Sequence, residues 1–137
     1  MKHFYIDTSI WMDLYEDRKG FDGEPLGDYA FKLFDWIRIS GHRIVVSDVV
    51  LKELEKRCSI PEIRGLFKIF ESIIEKVFAS KVERREAGRI AEERDLPHLD
   101  VLHAILARDN GFVLITRDNH FKRLVDIAEF YKPEDLV

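Results

Sequence analysis

The segment HFYIDTS, residues 3–9, runs from β-prone apolar residues directly into a carboxylate and two hydroxyl groups. The apolar run predicts a buried strand, and Thr8 or Ser9 can cap a helix that continues past Trp11. Asp7 then stands at the carboxyl end of the strand. The segment therefore predicts a strand–helix unit with an acid at the turn between them.

The rest of the chain repeats this alternation of short strands and longer helices. Four more β-prone runs, separated by stretches of helical periodicity, lie at residues 43–47, 75–78, 112–116 and 127–131. Ser47 or Asp48 can cap the helix after the second strand, and a helix that opens at Pro97 ends at Asn110-Gly111. Strands that alternate with helices predict an α/β fold, in which helices cover both faces of a parallel sheet.

The composition is that of a globular protein. The chain has 137 residues, with 22 Lys+Arg against 26 Asp+Glu, and its net charge is −4. We expect one domain over residues 1–137, without a membrane-spanning segment or a signal peptide, because no apolar run approaches the roughly 20 residues that span a bilayer. The single cysteine, Cys58, favours a cytoplasmic location. The mild acidity alone argues against a nucleic-acid partner.

Two acids are expected at one edge of the sheet. Asp7 directly follows the first strand, and Asp118 follows the apolar run of residues 112–115 after two further residues. In open parallel sheets, ligands bind beyond the carboxyl ends of the strands. We therefore expect the two carboxylates to face the same site.

Two more acids interrupt apolar helix segments. Glu53 shares the apolar face of its helix, so its carboxyl group should be protonated or have a cationic partner. Lys56 and Arg57 are within reach, but their long stems favour an orientation toward solvent, which makes an inorganic cation the better candidate. Asp100 lies in the first turn of a later helix, where the helix dipole favours a carboxylate.

Each acid also has a purely structural explanation. Asp7 can be read as a helix cap, Asp118 as a turn residue, Glu53 as a half-exposed surface residue and Asp100 as a partner of the helix dipole alone. If the four carboxylates converge, however, they repel one another and raise one another's pKa unless a cation is present. Mg²⁺ and Mn²⁺ prefer oxygen ligands of this kind, and such sites hydrolyse phosphodiesters with an activated water.

Four segments, taken in order, resemble the PIN domain family. They are residues 5–9 (YIDTS), 47–54, 96–104 and 114–121. The resemblance covers nearly the whole chain. It implies a Rossmann-like, three-layer α/β/α sandwich with a central parallel sheet and a metal-dependent ribonuclease site. Members of this size are similar to the VapC toxins of toxin–antitoxin pairs, which cleave RNA and are silenced by a small antitoxin protein, and a homodimer is also implied.

The resemblance assigns roles to individual positions. The implied acids, which would hold Mg²⁺ or Mn²⁺, are Asp7, Glu53, Asp100 and Asp118. The hydroxyl groups of Ser9 and Thr116 are implied to hold a water or a carboxylate in place. Three basic residues that flank the last acid are candidate contacts to RNA phosphates, and these are Arg117, Lys122 and Arg123.

The histidines do not form a zinc-binding pattern. His98 and His103 are five residues apart and do not lie on one helix face. We interpret His103 as a structural residue and His120 as a surface or phosphate-contacting residue.

The sequence as a whole predicts a Mg²⁺- or Mn²⁺-dependent endoribonuclease. Asp7, Asp100 and Asp118 are expected to hold metal, while Glu53 holds metal or its water and accepts a proton. A toxin with an antitoxin partner is the first interpretation, and the alternatives are an RNA-processing nuclease of the same family or a catalytically silent module that binds a partner. The four acids equal the whole net charge of −4, so the acidity can belong to one metal-binding pocket.

Overall fold

The computed structural model describes all 137 residues and contains one five-stranded sheet in which every pairing is parallel. The strands are β1 (His3–Ile6), β2 (Arg43–Ser47), β3 (Ile74–Val77), β4 (Val113–Ile115) and β5 (Phe130–Tyr131). They lie in the order β3-β2-β1-β4-β5. The chain winds outward from β1 to β3 and then crosses back to β4, so a topological switch point lies between β1 and β4.

Seven helices cover the sheet. They are α1 (Thr8–Glu16), α2 (Leu26–Ile39), α3 (Asp48–Glu55), α4 (Ile60–Lys68), α5 (Lys81–Arg94), α6 (His98–Asn110) and α7 (Pro133–Leu136). Phe4 of β1 contacts Trp36 of α2 on one face, whereas Tyr5 contacts His103 of α6 on the other. Helices α1–α4 and α7 form the first layer, and α5 and α6 form the second. The fold is therefore the three-layer α/β/α sandwich that the sequence predicts. None of the helices combines the length and the apolar character needed to cross a bilayer.

The predicted last strand is too long. Only Phe130–Tyr131 of the predicted residues 127–131 pairs with β4. The amide groups of Ile127 and Ala128 both donate to the carbonyl oxygen of Leu124, at 2.9 and 3.0 Å, and this holds the two residues in a turn. Their apolar character favours a strand locally, but in the turn both side chains are partly buried against the hydrophobic core.

The register of the central strands brings their carboxyl ends together. Tyr5 pairs with Val45 of β2 and with Leu114 of β4. The ladder extends one residue beyond β1, where the amide of Asp7 donates to the carbonyl oxygen of Ile115 at 3.0 Å. Side chains that follow these three strands therefore emerge side by side at one edge of the sheet.

Arg117 joins the loop after β4 to α1 and α7. Its guanidinium group donates to Asp13 Oδ2 at 3.0 Å and to the two carboxylate oxygens of Glu134 at 2.8 and 2.7 Å. Asp13 is only 3% exposed, so Arg117 compensates a buried charge. The sequence suggested that Arg117 contacts RNA; the structure instead gives its guanidinium group a structural role, because carboxylates of the chain itself take up its donors.

Replacing Arg117 by leucine should lower the free energy of unfolding by about 3–5 kcal/mol near pH 7, because Asp13 is left as a buried carboxylate without its main partner. Burial raises the pKa of Asp13 while Arg117 opposes that rise, so the pKa rises further in the variant. The folded variant then holds a proton that the unfolded chain releases. The destabilisation should therefore shrink as the pH falls toward about 4, and urea unfolding at both pH values measures it.

Arg64→Leu is the matched control for this experiment. Arg64 is exposed on α4 and forms no ion pair, so its replacement should change the free energy of unfolding by less than about 0.5 kcal/mol. Equal effects of the two replacements would contradict the structural role of Arg117.

Candidate active site

A pocket of about 320 Å³ opens at the edge of the sheet where β1 ends. It is lined by ten residues, namely Asp7, Thr8, Ser9, Arg18, Glu53, Lys56, Arg57, Leu99, Asp100 and Asp118. All four candidate acids are among them. A larger groove of about 650 Å³ lies between α3, α4 and β3, but half of its lining is hydrophobic and it contains no cluster of acids. The chemistry-bearing side chains thus converge on the smaller pocket.

Asp7 is held by two hydroxyl groups. Ser9 Oγ and Thr116 Oγ1 each donate to Asp7 Oδ2 at 2.8 Å. Asp7 occupies the N-cap position of α1, but its side chain makes no capping hydrogen bond. The expectation that Thr8 or Ser9 caps this helix is wrong, because Thr8 is already its first residue and Ser9 donates to the carboxylate. The two hydroxyl donors therefore orient the Asp7 carboxylate through Oδ2 and leave Oδ1 without a hydroxyl partner.

Glu53 is paired with a histidine from another helix. His103 Nε2 donates to Glu53 Oε1 at 2.8 Å and lies 3.6 Å from Asp7 Oδ1, and Thr8 Oγ1 donates to the same Glu53 oxygen at 3.1 Å. Burial alone would raise the pKa of Glu53, but the hydrogen bond and charge of His103 hold it below its ordinary value. Burial by itself would lower the pKa of His103, but the hydrogen bond to Glu53 and the negative charge of Asp7 outweigh burial. The pKa of His103 is therefore raised above its ordinary value. Glu53 is therefore ionised in the pocket.

The sequence interpretation of His103 as a structural residue does not predict its place beside Glu53 and Asp7 in the pocket. The residues of its own helix offer Glu53 no favourable cationic partner and favour an inorganic cation, whereas the structure supplies His103 from α6. The spacing between His98 and His103 carries no signal. The spacing between Asp100 and His103 does carry one: residues three apart lie on the same helix face, so the helix that directs Asp100 toward the site also directs His103 toward it.

The remaining two acids are bridged by an exposed histidine. His120 Nδ1 lies 2.8 Å from Asp100 Oδ2 and 3.0 Å from Asp118 Oδ1. Burial, together with the negative charges of Asp118 and Asp7, raises the pKa of Asp100 to about 6, although the hydrogen bond from His120 opposes the rise. Asp118 also accepts from the amide of His120 at 2.9 Å, which fixes the turn after β4. The negative charge at Asp100 is thus only partly compensated by the protein.

This donor set fits a divalent cation. Two groups of three residues each bring one potential ligand atom per residue within 4.8 Å of the others, and these groups are Asp7, Glu53 and His103 in the interior and Asp100, Asp118 and His120 at the rim. Both ring nitrogens of His103 are engaged, by Glu53 and by Tyr5, so the carboxylates are the candidate ligands of the interior group. Carboxylate oxygens are the ligands that Mg²⁺ and Mn²⁺ prefer. The pKa of Asp100 is raised first by burial and then by the charges of Asp118 and Asp7, and a bound cation would oppose both effects by favouring the ionised carboxylate.

Three cationic side chains line the same pocket. Arg18 is paired within the chain, to Glu16 at 2.9 Å and to Asp13 at 3.9 Å. Lys56 and Arg57 are exposed at the end of α3 and form no ion pair. None of the basic residues first suggested as RNA contacts lines the pocket, and one of them, Arg123, donates to the carbonyl oxygen of Arg94.

Comparisons with known proteins agree with this architecture. No curated protein matches the sequence. Among solved structures, the chain is similar to a VapBC2 complex from Rickettsia felis bound to a promoter DNA fragment, with 19% identity, a TM-score of 0.69, and coverage of 95% of this chain and 98% of the other. It is also similar to a toxin–antitoxin complex from Klebsiella pneumoniae, with 17% identity, a TM-score of 0.64, and coverage of 95% and 97%. The PIN domain model matches residues 4–127. The chain therefore belongs to the PIN domain family.

Proposed function

We propose that this protein is a metal-dependent endoribonuclease. The observation that carries the proposal is the convergence of four carboxylates, from four separate segments, on one small polar pocket with uncompensated negative charge. In this proposal Asp7, Asp100 and Asp118 hold Mg²⁺ or Mn²⁺, and the residues 1–137 act as a single nuclease domain. The catalytically silent alternative is less well supported, because a module that only binds a partner does not need all four acids.

The chemistry that a divalent cation supplies at such a site is activation of a water and stabilisation of the charge that develops on the phosphate. The residues of the chain then have separate tasks. Ser9 and Thr116 orient Asp7 through their hydroxyl groups. Glu53 remains ionised and has one carboxylate oxygen, Oε2, without a protein partner. We assign to that oxygen either a place among the metal ligands or the proton of the attacking water.

The substrate we propose is RNA, held by Lys56 and Arg57. Both cations line the acidic pocket without a carboxylate partner, so they can pair with phosphates of a strand that the acids alone would repel. Lys122 and Arg123 remain candidates for contacts farther along the strand. The products we expect are a 5′-phosphate and a 3′-hydroxyl, as the PIN resemblance implies.

The biological role we propose is that of a toxin silenced by a small antitoxin protein. Support comes from the similar toxin–antitoxin complexes of Rickettsia felis and Klebsiella pneumoniae. A cytoplasmic homodimer belongs to the same proposal. A role in RNA processing is the alternative. The toxin role would be supported by a small open reading frame beside the gene, if the product of that reading frame blocks RNA cleavage.

Asp100→Asn should reduce Mn²⁺-dependent RNA cleavage by more than about 100-fold, beyond the effect typical of residues that only orient metal ligands. The same change should stabilise the metal-free protein by about 1–2 kcal/mol near pH 7, because it removes a charge disfavoured by burial and by the charges of Asp118 and Asp7. This gain should begin to fade below about pH 6, where Asp100 of the folded protein takes up a proton, and should vanish near pH 4, where the unfolded chain is protonated as well. Cleavage of a labelled RNA and urea unfolding in EDTA measure the two effects.

Asp22→Asn provides the control, since Asp22 is an exposed acid of the loop before α2 and should affect neither quantity. RNA cleavage by the wild-type protein that continues in excess EDTA, or that survives Asp100→Asn, would refute the metal–carboxylate mechanism.

The double variant Lys56→Gln/Arg57→Gln should bind single-stranded RNA more weakly and with a smaller salt dependence. Each lost phosphate contact reduces the slope of log K against log salt by about 0.7 for single strands, so we expect a change of about 1.4. Fluorescence anisotropy in the Asp100→Asn background measures binding without cleavage. Lys32→Gln/Arg64→Gln removes two exposed charges elsewhere and is the control; an equal change in slope for both pairs would rule out a specific contact.

A further inference from the structure

A chain of buried hydrogen bonds connects Glu53 to the centre of the sheet. Ser47 Oγ lies 2.7 Å from the hydroxyl oxygen of Tyr5, and that oxygen lies 2.6 Å from His103 Nδ1. His103 Nε2 then donates to Glu53 Oε1 at 2.8 Å. Tyr5, Ser47 and His103 are each at most 1% exposed. Four side chains from β1, β2, α3 and α6 are thus joined in one line.

The Tyr5 hydroxyl is an unusual group for this place. Its neighbours in β1, Phe4 and Ile6, are apolar and buried, and a phenylalanine would fill the same volume without a polar atom. Burying a hydroxyl group is unfavourable unless it is hydrogen-bonded. Here both neighbours in the line satisfy it, and burial raises the pKa of Tyr5 so that it stays a neutral hydroxyl.

The direction of the last hydrogen bond does not depend on the charge of His103. The ionised carboxylate of Glu53 can only accept, so Nε2 carries a hydrogen whether the imidazole is neutral or protonated. The other ring nitrogen, Nδ1, is held by Tyr5 in both cases. The ring orientation is therefore fixed at both ends.

The line also closes on the helix that carries the carboxylate. Ser47 caps α3 by accepting from the amide of Val50 at 3.0 Å, and Glu53 lies on the same helix. The N-terminus of α3 is thus linked through Ser47 to Tyr5, its acidic side chain is linked to His103, and Tyr5 and His103 are hydrogen-bonded to each other. Rotation of α3 about its axis would break both ends of the line.

We propose that Tyr5 and His103 are positioning residues that hold Glu53 Oε1 and thereby direct the free Oε2 toward the metal or the attacking water. This inference rests on the proposed function for the identity of the ligand, and the residues themselves need not touch the substrate. Hydrogen-bond partners that orient metal ligands typically change metal affinity by about 10- to 100-fold when removed.

Tyr5→Phe tests the inference because it removes one oxygen atom and preserves the ring. We expect Mn²⁺ affinity, measured by calorimetry on the metal-free protein, to fall about 10- to 100-fold. The ¹⁵N resonances of the His103 ring should shift before any metal is added. In cleavage assays kcat should fall while KM for RNA stays within about twofold, since no phosphate contact is lost.

Tyr15→Phe is the matched control, because its hydroxyl group also donates to a carboxylate, that of Glu62, on the exposed surface. It should change neither metal affinity nor the His103 resonances. A second test covers the case in which Tyr5→Phe does not fold. His103→Gln keeps an N–H donor for Glu53 and should retain more metal affinity than His103→Ala.

The outcomes separate the two proposals. Unchanged Mn²⁺ affinity in Tyr5→Phe, or equal losses in His103→Gln and His103→Ala, would overturn the positioning role while wild-type cleavage of RNA still supported the nuclease. A wild-type protein that binds Mn²⁺, loses that affinity in Tyr5→Phe and cleaves no RNA would support the positioning role and overturn the nuclease. A wild-type protein that binds no Mn²⁺ would overturn both.

Discussion

Mutual repulsion between carboxylates is the physical constraint on this pocket, because Asp7, Glu53, Asp100 and Asp118 all line it. The protein offsets part of that repulsion with its own groups. Hydroxyl groups donate to Asp7, and a histidine contacts each of the other acids. Burial, together with the charges of Asp118 and Asp7, nevertheless raises the pKa of Asp100 to about 6. Stability lost at such a place is typical of a site that functions with a bound cation.

The scaffold holds these charges against their repulsion. Parallel pairing of β1 with β2 and β4 fixes where the strand ends lie, and each acid is then secured by its own local device. Arg117 ties the loop that carries Asp118 to α1 and α7. Ser47 secures the helix that carries Glu53. Ser47 is buried and the side chain of Arg117 is only 15% exposed, so these two supports lie in or near the interior.

Local sequence patterns predict the strands and helices better than they predict which residues contact one another. The bounds of β1 and β2, the helix end at Gly111 and the layered architecture follow from short-range apolar patterns and turn chemistry. Strand proximity also places Asp7 and Asp118 at the same edge. The apolar faces of helices α3 and α6 single out Glu53 and Asp100, whereas it is the PIN resemblance that assigns these two acids to the same site as Asp7 and Asp118.

Two of the errors arose where a contact joins segments that are distant in the chain. Nothing near Glu53 indicates that His103 is its partner, because the two residues are 50 positions apart. The same holds for Arg117 and Asp13, which are 104 positions apart. Ile127 and Ala128 have the composition of a strand, but hydrogen bonds to Leu124 hold them in a turn. The first two partners are long-range contacts, whereas the turn is made by hydrogen bonds three and four residues back along the chain.

The long separation between contacting residues also has a consequence for protein synthesis. Asp7 accepts a hydrogen bond from the hydroxyl group of Thr116, which is synthesised 109 residues later. Tyr5 contacts the imidazole of His103, which is synthesised 98 residues later. Strand β1 itself cannot complete its pairing until β4 has left the ribosome. A nascent chain that has not yet reached Asp118 therefore lacks one of the four acids of the pocket and the last strand of the sheet, so the site is completed only when most of the chain has been synthesised.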